Sequence, residues 1–95
     1  GVDEFFSELK KVAKESFRVL KKGKICAIMI GDIRKHGKVI PLGFRTMECF
    51  LQEGFVNKEI IIKEQHNCHS MDYWEKRSNS FLLLAHEYIF VFQRD

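Results

Sequence analysis

The residues with the clearest capacity for chemistry are three cations in one short segment, Arg34, Lys35 and Lys38. They come shortly after an unbroken apolar run, Ile25–Ile30, which is typical of a buried strand. Arginine and lysine bind phosphate groups and can position a nucleic-acid duplex. Open α/β sheets collect their ligands beyond the carboxyl ends of such strands. Residues 33–39 are therefore a candidate phosphate-binding loop, with an ordinary solvated loop as the alternative.

A second polar segment, residues 64–80, carries two adjacent aromatic residues, Tyr73 and Trp74. Their flat rings could stack on unpaired bases, or they could tuck against the fold. His86 and Glu87 open the last apolar segment. They form either a structural pair at the end of a strand or part of a substrate pocket.

Histidine and cysteine side chains in this region raise two further possibilities. His66, Cys68 and His69 lack the spaced ligand pairs that zinc sites use, so we predict no metal site. A nucleophilic cysteine would need an exposed, activated thiol, for which Cys68 is the one candidate. Cys26 and Cys49 lie in apolar contexts and are predicted to be small core residues.

The composition predicts one folded domain over residues 1–95. The chain is 45% hydrophobic with nine phenylalanines, enough for a small core. Its net charge of +3 permits a polyanionic partner without requiring one. Three widely spaced cysteines disfavour a secreted disulfide scaffold, and no apolar stretch approaches the roughly 20 residues that span a bilayer. We therefore predict a cytoplasmic protein with no membrane partner.

Apolar periodicity predicts an α/β fold in which helices and strands alternate. Residues 3–22 repeat apolar side chains at three- and four-residue steps, as an amphipathic helix does, and Gly23 ends the pattern. The further elements are a strand buried on both faces at Ile25–Ile30, a helix over 42–53 begun by Pro41, a strand over 55–63, and a strand at His86–Gln93. A strand, a crossover helix and a strand in this order imply two parallel strands.

The predicted sheet has an open edge. With three strands, Ile25–Ile30 would be uncovered on one side, and exposed edges of this kind normally need a cover. Either two copies of the chain associate, or a further part of the sheet lies outside this sequence.

Six short segments between residues 17 and 92 have a characteristic order, within a resemblance that extends over about residues 9–94. They are Phe17-Arg18-Val19-Leu20-Lys21-Lys22-Gly23-Lys24, Gly31-Asp32-Ile33-Arg34-Lys35, Pro41-Leu42-Gly43-Phe44-Arg45, Glu53-Gly54-Phe55, Ile62-Lys63-Glu64-Gln65-His66-Asn67, and residues 82–92 with their His-Glu-Tyr sequence. Together they resemble the C-terminal part of the amino-methylating DNA methyltransferases of the Pro-Pro-Tyr type. The Gly-Asp-Ile-Arg-Lys and His-Glu-Tyr sequences are the more specific of them.

The resemblance implies the C-terminal half of a Rossmann-like S-adenosylmethionine-dependent methyltransferase fold, which makes the chain a partial domain. That family has a seven-stranded sheet whose last two strands form an antiparallel hairpin. By resemblance Ile25–Ile30 would be the fifth strand, residues 59–63 the sixth, and His86–Gln93 the seventh, inserted between them. Strands one to four would cover the open edge.

The resemblance also implies an activity and a set of contacts. These enzymes flip a base out of the duplex and methylate the exocyclic amino group of adenine or cytosine. The segment after the sixth strand borders the base pocket, where amides and imidazoles could hydrogen-bond a base edge. The predicted nucleic-acid-binding residues are therefore Arg34, Lys35, Lys38, Gln65, His66, Asn67 and Trp74. DNA is the predicted partner, with RNA as an alternative.

Two motifs of that family are absent from this sequence. The chain has one proline, so it has no Pro-Pro-Tyr segment, and its six glycines are isolated, so it has no glycine-rich cofactor loop. The resemblance thus implies that the catalytic residues and most of the S-adenosylmethionine pocket lie elsewhere, and that this chain alone is inactive. A non-catalytic nucleic-acid-binding module and a structural dimerisation module remain as alternatives.

Overall fold

Helices and strands alternate along the chain in the computed structural model, which describes residues 1–64 and 84–95. The elements in chain order are α1 (Val2–Val19), β1 (Ile25–Ile30), β2 (Ile33–Lys35), β3 (Lys38–Ile40), α2 (Leu42–Gln52), β4 (Val56–Glu64) and β5 (His86–Gln93). The predicted bounds of β1 and β5 are confirmed. The two helices and β4 differ from their predicted bounds by up to three residues.

β5 lies in the centre of a three-stranded sheet with the order β1-β5-β4. It pairs antiparallel with both neighbours, in a register that places Ile30 opposite Tyr88 and Glu64 opposite His86. This confirms the predicted position of the last strand. β1 and β4 both run antiparallel to β5 and therefore run in the same direction as each other, without pairing directly. Every strand pairing in the described residues is antiparallel, because β5 occupies the place between these two strands.

Aromatic side chains fill the core between this sheet and the two helices. Phe50 of α2 is fully buried and stacks on Phe92 of β5, with ring centroids 4.8 Å apart. Phe90 and Tyr88 continue the row, because residues two apart on a strand point to the same face. α1 packs against α2 and adds the buried ring of Phe6. The row of rings joins β5 to α2, and α1 packs in turn against α2.

The opposite face of the sheet is exposed in the described part of the chain. Side chains of β1 alternate between half-buried and exposed, with Ile25 59% and Met29 54% exposed. The register places Met29, Ile89 and Ile61 side by side on this face. The prediction that β1 is buried on both faces is therefore wrong for the described residues, because α1 and α2 pack on one face only.

Residues 33–39, predicted to be a loop, form a β-hairpin instead. β2 and β3 pair antiparallel, with Ile33 opposite Ile40. The two residues at the turn, His36 and Gly37, both have positive φ, 53° and 76°, as a type I′ turn requires. Glycine adopts this conformation without cost, and the β-branched residues of the two arms favour extended backbone.

Candidate nucleic-acid interface

Two lysines face each other at the tip of the β2–β3 hairpin. Lys35 and Lys38 are cross-strand partners on either side of the turn, and both are exposed. Like charges directly opposite each other destabilise a strand pair. A phosphate group between or beside the two ammonium groups would relieve that repulsion. The hairpin tip is therefore suited to bind a polyanion.

The hairpin also carries a local excess of positive charge. Residues 33–40 contain three basic residues, Arg34, Lys35 and Lys38, and no acidic one. Positive charge is not confined to the hairpin, because Arg18, Lys21, Lys22 and Lys24 form a second basic segment before β1.

Arg34 differs from the two lysines in its surroundings. Its side chain lies on the other face of the hairpin, beside Val39, and is half-buried. One guanidinium nitrogen, Nη1, donates a hydrogen bond of 3.4 Å to the carbonyl oxygen of Gly37 in the turn. Arg34 thus supports the turn as well as adding positive charge.

A buried carboxylate lies at the base of the hairpin. Asp32 immediately precedes β2, and its side chain is 6% exposed. Its Oδ1 accepts a hydrogen bond of 2.9 Å from the backbone N–H of Gly43 in the first turn of α2. Its Oδ2 lies 3.5 Å from Nε2 of His86, the first residue of β5. Pro41, the N-cap residue of α2, has no polar side chain, so Asp32 provides the acceptor that a capping side chain usually supplies.

Tyr88 completes the cluster around this carboxylate. Burial raises the pKa of the Tyr88 phenol, and the neighbouring negative charge of Asp32 raises it further. The ring lies against those of His86, Phe44 and Phe90, with centroids 5.1 to 5.5 Å apart. The phenol therefore stays protonated beside the carboxylate at neutral pH.

These features meet at one end of the sheet. β1 ends there, just before Asp32, and so does β4, whose last residue, Glu64, stands opposite His86. His86 contacts Asp32 and therefore joins the start of β5 to the base of the hairpin. Three of the predicted nucleic-acid-binding residues, Arg34, Lys35 and Lys38, lie together on the hairpin. The other four, Gln65, His66, Asn67 and Trp74, lie outside the described residues.

The described residues offer little for other kinds of site. Residues 1–64 and 84–95 contain no group of three or more side chains that could hold a metal ion. His66, Cys68 and His69 lie outside them. Burial raises the pKa of the Cys26 and Cys49 thiols, so neither is an activated nucleophile.

A small cleft lies between the two helices. It measures about 140 Å³, below the roughly 300 Å³ at which ligand pockets begin, and the Arg45 guanidinium lies over the Phe6 ring in its wall. A molecule the size of a nucleotide does not fit there. In the described part of the chain, none of the helices is long and apolar enough to cross a membrane.

Searches of protein-family models and of curated proteins find no match to this chain. Solved structures do match it. The protein TTHA0409 of Thermus thermophilus, named a putative DNA modification methylase, aligns in three crystal structures. The selenomethionine derivative and the complex with S-adenosyl-L-methionine each give a TM-score of 0.77 at 26% identity, and the third structure gives 0.78 at 25%.

The alignment covers very different shares of the two proteins. It covers 98% of this chain and 37 or 38% of the Thermus protein, so the chain spans little more than a third of that protein. The mixed α/β architecture with its small antiparallel sheet is methyltransferase-like.

Proposed function

We propose that this chain is part of a DNA methyltransferase of the amino-methylating, Pro-Pro-Tyr type. The complete enzyme would transfer a methyl group from S-adenosylmethionine to the exocyclic amino group of adenine or cytosine. Structural likeness to a protein crystallised with S-adenosyl-L-methionine supports the cofactor. The Gly-Asp-Ile-Arg-Lys and His-Glu-Tyr sequences support the amino-methylating type. β1, β4 and β5 would be the fifth, sixth and seventh strands of a Rossmann-like sheet, in a cytoplasmic protein.

The hairpin carries the proposed contact with DNA. Its two exposed lysines are held opposite each other, and residues 33–40 contain three basic residues and no acidic one. Contacts of lysine to phosphate position a protein on the duplex without reading its sequence. The chain would therefore help to hold the duplex, and base recognition would involve other residues, among them Gln65, His66, Asn67 and Trp74.

In this proposal, the S-adenosylmethionine pocket lies mostly in other parts of the enzyme. The helix–helix cleft is too small for S-adenosylmethionine, and the sequence lacks the glycine-rich loop and the Pro-Pro-Tyr segment. S-adenosylmethionine, bound by other parts of the enzyme, would supply the methyl group. Residues of this chain would position DNA and complete the sheet, and the chain alone would be inactive.

The uncovered surfaces of the sheet fit the same proposal. Ile25, Met29 and Ile61 expose apolar side chains on one face, and the outer edge of β1 has no strand partner among the described residues. Missing parts of the enzyme would cover the face and the edge. A second copy of the chain is the rival occupant, and it would appear as a dimer in light scattering.

Neutralising the hairpin tests its proposed role in DNA binding. In the double variant Lys35→Ala/Lys38→Ala, the slope of log K against log salt for duplex DNA should become shallower by about 2, since two phosphate contacts are lost. Affinity should fall to a similar extent for unrelated DNA sequences, because phosphate contacts carry no sequence information. Fluorescence anisotropy over a salt series measures both quantities.

Two exposed lysines of the remaining surface provide a matched control. Lys14 lies in α1 and Lys22 lies just after it, away from the hairpin. The variant Lys14→Ala/Lys22→Ala therefore removes the same amount of positive charge as the hairpin variant does. We expect this variant to retain the slope of the parent chain. Equal losses in the two double variants would show that only net charge matters, and the role of the hairpin would then be rejected.

A non-catalytic nucleic-acid-binding module is the second candidate. It is favoured by the same hairpin together with the absence of both catalytic motifs from this sequence. Tight binding of DNA or RNA by the 95-residue chain, with no Pro-Pro-Tyr segment in the natural flanking sequence or a partner protein, would establish it.

A further inference from the structure

The orientation of the hairpin is not set by the main sheet. β2 and β3 form a separate two-stranded sheet, without hydrogen-bonded pairing to β1, β4 or β5. A two-stranded hairpin is marginally stable on its own. The contacts that hold the two ends of the hairpin must therefore determine the direction in which Lys35 and Lys38 point.

One side chain joins those two ends. The chain enters the hairpin from Asp32 and leaves it through Pro41 into α2. The 2.9 Å hydrogen bond from the Gly43 N–H to Asp32 Oδ1 closes this base across 11 residues. The positive end of the α2 dipole favours a carboxylate at this position.

The same carboxylate ties the base to the sheet. Its second oxygen faces Nε2 of His86 at 3.5 Å, and the Tyr88 ring lies beside it. A buried carboxylate is costly unless it is hydrogen-bonded and compensated by nearby charge. Here its partners come from α2 and β5, two elements fixed by the aromatic core.

We propose that Asp32 is a positioning residue that fixes the β2–β3 hairpin relative to the end of the sheet, so that Lys35 and Lys38 point at the DNA backbone. This inference rests on the proposed DNA contact of the hairpin. Asp32 itself touches no DNA; it acts through the backbone of the hairpin. An asparagine could still accept the Gly43 hydrogen bond, whereas an alanine could not.

Backbone ¹⁵N relaxation of the 95-residue chain tests the positioning without DNA. Order parameters of residues 33–40 should match those of the main sheet, about 0.85, and should fall towards 0.6 in Asp32→Ala. Asp32→Asn should largely restore them and should keep the hydrogen-bonded shift of the Gly43 amide. Values near 0.6 in the parent chain would overturn the proposal, even if Asp32→Ala did not fold.

A double-mutant cycle tests the functional consequence. Asp32→Ala should make the salt slope for duplex DNA shallower by up to about 2, and should add nothing in the Lys35→Ala/Lys38→Ala background. Equal effects in the two backgrounds would show that Asp32 does not act through the hairpin, and would overturn the proposal. If Lys35→Ala/Lys38→Ala itself leaves DNA binding unchanged, the DNA-binding proposal fails, while relaxation still decides whether Asp32 orders the hairpin.

Discussion

Replacing Arg94 with alanine is expected to lower the free energy of unfolding by about 2 to 3 kcal/mol, because a charged hydrogen bond and a ring contact are lost together. Arg94 follows β5, and its Nη1 donates to the carbonyl oxygen of Leu20 at 2.6 Å. Leu20 is the C-cap residue of α1, where a cation also complements the helix dipole. The guanidinium carbon lies 4.5 Å from the centre of the Phe17 ring. Arg94 thus joins the carboxyl end of α1 to the central strand.

Two further variants separate these contributions in urea unfolding. Arg94→Lys keeps the positive charge but lacks the planar guanidinium group. Its free energy of unfolding should therefore lie between those of the parent chain and Arg94→Ala. Arg18→Ala removes an exposed arginine that pairs with Glu15 on the surface of α1, and it should leave the urea midpoint nearly unchanged. If Arg94→Ala and Arg18→Ala had the same small effect, the capping role of Arg94 would be wrong.

Gly43→Ala should be the second most damaging change, lowering the free energy of unfolding by about 2 kcal/mol even though alanine is the better helix former. A β-carbon at this position would overlap two atoms of the Tyr88 ring and lie 3.3 Å from Asp32 Oδ1. The ring has little room to yield, because Tyr88 is buried and stacks on Phe90. The clash must therefore shift α2 or the strand beneath it.

A smaller residue at position 88 should relieve this clash. In the background Tyr88→Leu, the additional cost of Gly43→Ala should drop below about 1 kcal/mol, which thermal unfolding of the four variants would show. Ser7→Ala, at an exposed position in α1, is the control for helix propensity and should be neutral or slightly stabilising. A neutral or stabilising Gly43→Ala in the parent chain would contradict the packing at the start of α2.

Local patterns were sufficient to predict most of the elements. The apolar run of β1 and the alternating aromatic residues of β5 gave correct bounds, since both signals depend on residues close in sequence. The hairpin was not predicted, because Arg34, Lys35 and Lys38 suggest a solvated loop. The available signal was a two-residue turn ending in glycine between β-branched arms, weakened by histidine where asparagine is usual.

The cluster at the base of the hairpin depends on long-range packing. Asp32 and His86 are far apart in sequence, and only the central position of β5 brings them together. From the sequence, His86 and Glu87 are either a structural pair at a strand end or part of a substrate pocket. The structure adds a contact that the sequence did not indicate, between Nε2 of His86 and Asp32. The exposed face of β1 also escaped prediction, because an apolar strand has the same composition whether or not its second face is covered.

The most direct test of the proposed function is methyl transfer. The chain, joined to its natural flanking sequence or to a partner protein that supplies the Pro-Pro-Tyr segment, would be incubated with duplex DNA and S-adenosylmethionine labelled in the methyl group. We expect label on the exocyclic amino group of adenine or cytosine, and none with the chain alone. Absence of label on DNA from the complete protein would contradict the methyltransferase proposal, and label on RNA alone would reject DNA as the substrate.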